Sequence, residues 1–155
     1  MKFILTPELG RLAKWLRILG FDAAYSSQVN FSALLVQALR DNRIIITRNA
    51  HFINRARVTR FVHVYSDSPD QQLKQVLQQL KIKPDEEMMF SRCIICNTQL
   101  CGIDKKQAKD RVPDYVFKTQ DDFLTCPCCE RIYWQGTHWG NVSKALKEID
   151  DGAYR

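Results

Sequence analysis

Four apolar runs recur along the first half of the chain, and amphipathic segments separate them. The runs are "KFIL" at 2–5, "FDAAYS" at 21–26, "RIIIT" at 43–47 and "FVHVYS" at 61–66. The third run is unbroken and β-branched, which is typical of a central parallel strand covered on both faces. The alternation of such runs with helical periodicity predicts an α/β fold with a parallel sheet flanked by helices.

The segment after the first run, "TPELGRLAKWLRILG", predicts a helix. Thr6 is a suitable N-cap, Pro7 suits the first helical position, and Gly20 can end the helix. Its predicted buried stripe consists of Leu9, Leu12, Ala13, Leu16 and Leu19. Three cations spaced three residues apart fall on another face, which we expect beside the carboxyl edge of the sheet: Arg11, Lys14 and Arg17.

Three more helices are predicted before the composition changes. "NFSALLVQALRDN" has helical periodicity, residues 50–60 form a short basic helix, and "SPDQQLKQVLQQLKI" opens with a Ser-Pro-Asp start. The last of these carries an apolar stripe of Leu73, Val76, Leu77 and Leu80. Because "KPDEEMMF" breaks the pattern, we place a boundary near residues 84–91 and predict an α/β domain over 1–86 and a second domain over 90–155.

All six cysteines lie between residues 93 and 129. Cys93 and Cys96 form one C-x-x-C pair, and Cys126 and Cys129 form another. In a chain without a secretory signal, such clustering favours metal ligation over disulfides, and two pairs supply the four thiolates of a closed structural zinc site. We therefore predict a small C-terminal zinc ribbon of short β segments, followed by a helix at "NVSKALKEI", and a metal ion that contributes folding energy and no catalysis.

Other ribbon side chains have open roles. Cys101 and Cys128 are spare, and each could replace a ligand or be a buried free thiol. Asn97 and Glu130 follow the two pairs, where a positive φ is favoured, and Asn97 suits that position better than Glu130. Four residues after the second pair could stack on unpaired bases or pack the ribbon against the α/β domain: Tyr133, Trp134, His138 and Trp139.

The composition, 45% apolar and 26% charged over 155 residues, is that of a soluble globular protein. No apolar run reaches roughly 18 residues, so we expect no membrane span. The apolar start "MKFIL" is ended by Thr6, Pro7 and Glu8, so we expect no signal peptide and a cytoplasmic location. The net charge of +6 is uneven, since residues 1–62 hold ten Lys or Arg against three acids. This field favours a polyanionic partner such as nucleic acid, the alternative being a basic surface kept for solubility.

Polar residues end the strand of three isoleucines. Thr47, Arg48 and Asn49 follow it directly. In open α/β sheets, ligands bind at the carboxyl ends of such strands. These three residues are therefore candidate site residues.

A set of motifs carries a family resemblance: "LGRLAKWLRILGFD", "IIITRN", "RCIICN", "DRVPDYV" and "CPCCERIYWQGTHW". In this order and spacing, over roughly residues 2–140, the chain resembles the prokaryotic Mut-seven C-terminal RNase family. The resemblance implies a PIN-like ribonuclease domain followed by a zinc ribbon, with RNA as the partner. It also implies acidic residues at the carboxyl ends of the central strands, which hold Mg²⁺ or Mn²⁺ for phosphodiester hydrolysis.

The sequence departs from the family at two positions of that site. The first strand of the family ends in Asp and the third in Thr-Arg-Asp, whereas this chain has Thr6 and Asn49 there. Neither side chain is anionic, so a cation that depends on several carboxylates loses most of its attraction. The departure predicts a degenerate catalytic site. Three acids remain that could rebuild it: Glu8, Asp22 and Asp67. Alternatively, Asp22 and Asp67 cap backbone N–H groups.

Three hypotheses for the function remain open. The first is a PIN-like RNA-binding protein with weakened or absent hydrolysis, whose phosphate contacts come from a set of basic residues: Arg11, Lys14, Arg17, Arg48, Arg55, Arg57 and Arg60. The second is an active Mg²⁺- or Mn²⁺-dependent ribonuclease that uses Glu8, Asp22 and Asp67 with Asn49 as a neutral ligand. The third is an adapter whose ribbon binds a protein partner.

Overall fold

The first part of the chain folds around a parallel β-sheet in the computed structural model, which describes residues 1–25, 30–56, 60–136 and 138–151. Contacts divide the chain into two compact units, Met1–Asn97 and Thr98–Arg155. The sheet of the first unit has the order β2-β1-β3-β4 and all its pairs are parallel. Its strands are β1 Lys2–Leu5, β2 Asp22–Tyr25, β3 Ile44–Thr47 and β4 Phe61–His63. The predicted parallel sheet flanked by helices is confirmed.

The register decides which residues share an edge. Thr47 pairs with His63, and β1 ends at Leu5 directly before Thr6, whose N–H donates to Ile46 O at 3.1 Å. The ends of β1, β3 and β4 therefore meet at the carboxyl edge. Asp22 begins β2 and pairs with Lys2, so it lies at the opposite, amino edge.

The helix after β1 begins later than predicted. Residues Pro7–Leu9 form a 3₁₀ turn, and α1 covers Gly10–Ile18. Thr6 has an extended backbone but caps nothing with its side chain, because its hydroxyl is bonded to other groups. The predicted apolar stripe is buried throughout. Gly20 ends the helix as predicted, at a φ of +87° and with Met88 O only 2.2 Å from where a Cβ would lie.

The other helices of the first unit are α2 Phe31–Arg40, α3 Ala50–Ala56 and α4 Pro69–Leu80. Asn30 caps α2 by accepting from the N–H of Ala33 at 2.9 Å. The stripe predicted for α4 is buried except at Leu80, which is half-buried. The helices cover a sheet whose β3 is buried at every residue, in agreement with a strand covered on both faces.

The first cysteine pair belongs to the first unit, and hydrogen bonds explain why. Arg17 on α1 donates to the carbonyls of Ile94 and Ile95, at 2.9 and 3.0 Å. Phe90 N–H donates to Ile18 O at 2.8 Å. The chain that follows α4 therefore packs back onto α1, and the division of the chain falls after Asn97.

The second unit contains a three-stranded antiparallel sheet, two short helices and a longer C-terminal helix. Its strands are β5 Cys101–Ile103, β6 Phe123–Thr125 and β7 Ile132–Trp134, in that order. Its helices are α5 Lys105–Ala108, α6 Asp114–Thr119 and α7 His138–Asp151. The sequence did not predict α5 and α6, although Asp104 and Gln107 form a capping box that begins α5. None of the helices in the described ranges has the length and apolar character of a membrane span.

Candidate active site and metal centre

The carboxyl edge of the sheet is linked by two buried threonine hydroxyls. Thr6 follows β1 and Thr47 ends β3, and both side chains are fully buried. Their Oγ1 atoms lie 3.0 Å apart, and Thr47 Oγ1 also accepts from the N–H of Asn49 at 3.0 Å. The hydroxyls therefore bond within the protein at the position where the family resemblance implies an Asp.

The carboxylate of Glu8 lies at this same position. Thr6 Oγ1 donates to Glu8 Oε1 at 2.6 Å, and the backbone N–H of Arg48 donates to the same oxygen at 3.1 Å. The 3₁₀ turn at Pro7–Leu9 places Glu8 one turn beyond β1, with its side chain exposed. Glu8 thus brings one negative charge to the point where β1 and β3 end.

Asn49 uses its amide oxygen to cap a helix. Asn49 Oδ1 accepts from the N–H of Phe52 at 3.0 Å, in the first turn of α3. Asn is among the preferred residues for this role. The oxygen that was expected to serve as a neutral metal ligand is therefore engaged with the backbone.

Asp67 is paired with a cation at the same edge. Its Oδ1 lies 2.5 Å from Arg48 Nη1, and the Asp67 side chain is 89% exposed. The Arg48 backbone also contacts β4, because its carbonyl lies 3.0 Å from His63 Nε2. The positive charge of Arg48 offsets part of the attraction of Asp67 for a metal ion, and the exposed pair itself contributes little energy.

Asp22 does not join Glu8 and Asp67, contrary to the expectation from sequence. At the amino edge its carboxylate accepts from Arg43 Nη1 at 2.6 Å and from Asn97 Nδ2 at 2.7 Å. Burial alone raises the pKa of Asp22, but these hydrogen bonds and the positive charges of Arg43 and Arg92 outweigh it, so the pKa lies below its usual value. The error arose because Asp22 begins its strand, whereas the site lies where strands end.

The three acids consequently do not form a ligand cluster. Within the described ranges, one group of three or more His, Cys, Asp or Glu residues has its ligand atoms close together, and it consists of cysteines. The carboxyl edge instead carries the hydrogen-bonded carboxylate of Glu8, the carboxylate of Asp67 paired with Arg48, and the amide of Asn49.

The residues predicted to contact phosphate differ in their exposure to solvent. Arg11, Lys14 and Arg48 are exposed, and so is Arg60, which donates to Asn42. The side chain of Arg55 and all of Arg57 lie outside the described part of the chain.

Arg17 is not available to a phosphate. Its side chain is 4% exposed, and besides the carbonyls of Ile94 and Ile95 it donates from Nε to Ala23 O at 2.9 Å. Burial lowers the pKa of Arg17, and the nearby thiolates of Cys93 and Cys96 act in the opposite direction. The prediction of Arg17 as an RNA contact is therefore wrong, because α1 carries it to the amino edge and into the interior.

The two cysteine knuckles share one backbone geometry. Asn97 N–H donates to Cys93 O and Glu130 N–H to Cys126 O, both at 2.9 Å. Asn97 and Glu130 both have positive φ, 64° and 62°, so the second knuckle does not differ from the first in this respect, although Glu130 was expected to suit the position less well. Backbone N–H groups also approach the sulfurs, with Cys96 N 3.3 Å from Cys93 Sγ and Cys129 N 3.5 Å from Cys126 Sγ.

The four cysteines of the two pairs form a site that could hold a metal ion. Their Sγ atoms all lie within 4.8 Å of one another, and those of Cys93 and Cys126 belong to fully buried residues. Four thiolates at about 2.3 Å from one ion require sulfur separations of about 3.8 Å, so this set fits with a small contraction. Cys101 and Cys128 are exposed, and neither belongs to the group, so the expectation that they are buried thiols is wrong.

The aromatic residues after the second pair are partly described. Trp134 in β7 is 37% exposed. Tyr133 is half-buried, and the side chains of His138 and Trp139 lie outside the described residues.

Two residues that were not predicted as site residues, His63 and Tyr65, lie at the carboxyl edge. His63 ends β4 beside the Arg48 carbonyl, and the exposed Tyr65 packs edge-on against the His63 ring, with ring centroids 4.6 Å apart. The alternation in "FVHVYS" was a usable signal, because it puts residues 63 and 65 on the same face of an extended segment.

Comparison with known proteins agrees with the resemblance seen in the motifs. Searches of curated proteins and of solved structures found no match. A family model described as "Mut7-C RNAse domain" matches residues 1–146. Since the match extends over nearly all of the α/β unit and the cysteine-rich unit, the chain belongs to the Mut7-C RNAse domain family.

Proposed function

We propose that this protein binds RNA at the carboxyl edge of its parallel sheet and that its hydrolytic site is degenerate. Membership of an RNase family supports RNA as the partner. The observation that carries the proposal is the pair of Thr6 and Asn49, whose polar groups are bonded within the protein at the ends of β1 and β3.

The electrostatics of the edge argue against tight binding of a catalytic cation. Mg²⁺ and Mn²⁺ bind hard oxygen ligands, and carboxylates supply most of the attraction. Here Glu8 supplies one carboxylate, and Asp67 is paired with Arg48. Among the described residues, these acids do not come together as a ligand group, so ions that orient the attacking water and neutralise the phosphate would be poorly held.

The cations that flank the edge support phosphate binding. Arg48 follows β3, and Arg11 and Lys14 are exposed in the first half of α1, the helix that follows β1 and the 3₁₀ turn. Contacts of this kind neutralise phosphates whatever the base sequence, so they give affinity without sequence selectivity.

The proposal includes a structural zinc ion held by Cys93, Cys96, Cys126 and Cys129. Four protein thiolates leave no open coordination position, so the ion would supply folding energy and no activated water. The sulfur-directed N–H groups of both knuckles support thiolate ligation, since they stabilise negative charge on sulfur.

One observation favours a second function, an active ribonuclease. The carboxylate of Glu8 reaches Thr6 Oγ1 at 2.6 Å, so it could replace the charge that Thr6 lacks. In that case the wild-type protein hydrolyses RNA, and Glu8→Gln abolishes the activity.

The deciding experiment compares the wild type with a Thr6→Asp, Asn49→Asp double variant in a cleavage assay on single-stranded RNA with Mg²⁺ or Mn²⁺. A Thr6→Asn variant is the matched control, since it has the shape of the Asp variant without its charge. We expect cleavage by the double variant alone, because the two carboxylates restore the attraction for the ion. If the wild type cleaved RNA as fast as the double variant, and Glu8→Gln abolished that cleavage, the proposal of a degenerate site would be wrong and the protein would be an active ribonuclease.

A further inference from the structure

The side chain of Tyr65 is 71% exposed, two residues beyond the end of β4. We propose that Tyr65 is a stacking platform for an unpaired RNA base at the carboxyl edge. This inference rests on the proposed RNA binding and deepens it, because it makes single-stranded RNA the form that is bound.

Two glutamines hold the backbone around Tyr65. Gln75 accepts from the N–H of Tyr65 at 3.2 Å and donates to His63 O at 2.6 Å. Gln72, itself 4% exposed, donates to Ser66 O at 2.7 Å. Both glutamines lie on α4, so side chains of one helix fix three backbone groups in a row of four residues.

The Tyr65 ring packs against the ring of His63. Tyr65 and His63 meet in an edge arrangement, with 63° between their planes. His63 is in turn held by contact of its Nε2 with Arg48 O. Because the ring is already held in place, little conformational entropy is lost when a base stacks on it.

The Arg48 carbonyl contacts His63, the ring neighbour of Tyr65, so a cation and an aromatic ring belong to the same edge of the sheet. The exposed pair of Arg48 and Asp67 contributes little energy in water, so a phosphate can share the guanidinium. The base face of the same nucleotide can then stack on Tyr65, since every base offers a π-face. A cation for the backbone and an aromatic ring for the base are the two elements of single-strand recognition.

The test measures binding of a fluorescein-labelled 12-nucleotide oligoadenylate and of the same backbone without bases. Tyr65→Ala, Tyr65→Leu and Tyr65→Phe are compared with Tyr115→Ala, whose ring is 69% exposed on α6 and serves as the matched control. We expect Ala and Leu at position 65 to weaken oligoadenylate binding by roughly 5- to 150-fold, the range that corresponds to stacking of one base. Tyr65→Phe and Tyr115→Ala should bind as the wild type does.

The abasic backbone separates stacking from phosphate contact. Its affinity for the wild type should already be reduced and should not change with Tyr65→Ala. If Tyr65→Ala or Tyr65→Leu bound oligoadenylate as tightly as the wild type does, the stacking platform would be overturned while RNA binding stayed in place. A wild type that binds neither probe would instead overturn the proposed function, and the platform with it, leaving Tyr65 as a contact for a protein.

Discussion

Asn97 Nδ2 donates a hydrogen bond to Asp22 Oδ1 across 2.7 Å, and Asn97 Oδ1 accepts from the N–H of Ala23 at 3.0 Å. One amide therefore joins the turn of the first cysteine knuckle to the start of β2. The amino edge of the sheet is thereby used for structure, whereas the candidate RNA site lies at the carboxyl edge. The two edges can be tested separately.

The contact between Asn97 and Asp22 should couple their contributions to stability. Asn97→Gly keeps the backbone at its φ of 64° without strain and removes the amide, and Asp22→Ala removes the carboxylate. In a double-mutant cycle of urea unfolding we expect a coupling of about 1.5–3 kcal/mol, typical of a hydrogen bond to a charged group. Additive effects of the two changes would show that the bond contributes nothing.

The lowered pKa of Asp22 predicts a pH dependence of stability. A carboxyl whose pKa is lower in the folded than in the unfolded state stabilises the fold above its unfolded value, about 3.9, and loses that contribution as pH falls. The difference in unfolding free energy between wild type and Asp22→Asn should be constant from pH 7 to 5 and shrink below about pH 4. A difference that grows on acidification would contradict the assignment.

The cysteine group predicts a metal content of about one zinc ion per chain. Elemental analysis of the purified protein checks this, and a Cys101→Ser, Cys128→Ser variant should keep the same content because neither residue belongs to the group. Chelation should destabilise the ribbon, since the ion supplies folding energy. A ribbon that keeps its fold after chelation would exclude a structural ion.

Arg17 should support the metal centre from outside the ligand set. It holds the carbonyls of Ile94 and Ile95 within the first knuckle, and it places a buried positive charge near the thiolates of Cys93 and Cys96. We expect Arg17→Gln to weaken Co²⁺ binding by roughly 10- to 100-fold, the usual cost of losing an outer-shell partner. Arg11→Gln, on the exposed face of the same helix, is the control and should bind Co²⁺ normally.

Salt dependence should identify the cations that contact phosphate. The logarithm of the affinity falls linearly with the logarithm of the salt concentration, and each phosphate contact removed from a single-stranded complex makes this slope less steep by about 0.7. We expect Arg11→Gln with Lys14→Gln to reduce this slope by about 1.4. Lys118→Gln, an exposed cation on α6, should leave it unchanged, and an equal loss there would indicate a diffuse charge effect.

Local pattern was sufficient for most of the fold. The triple-isoleucine run became a fully buried β3, the stripe of α1 is buried, and Gly20 ends its helix with a positive φ. These outcomes depend on periodicity, capping and the conformational freedom of glycine, which neighbouring residues determine. The helices α5 and α6 were missed because each is six residues or shorter and gives little periodic signal.

The placement of charged side chains was less accessible from sequence. Arg17 shares its spacing with Arg11 and Lys14, yet it is buried and bonded to carbonyls. Residues three apart on an α-helix are offset by about 60° around its axis, so Arg17 lies about 120° from Arg11 and one turn beyond Ala13 of the buried stripe. The same difficulty applies to Asp22, whose strand was predicted correctly and whose edge was not.

The sequence by itself determined the family, the parallel sheet, the two cysteine pairs and the neutral side chains of Thr6 and Asn49, because each depends on residue identity and spacing. The tertiary structure decided which groups meet: Glu8 with Thr6, Arg48 with Asp67, Asp22 with Asn97, and His63 with Tyr65. Several of these pairs join residues far apart in the chain, and their distances depend on strand register and helix packing, which no local pattern encodes.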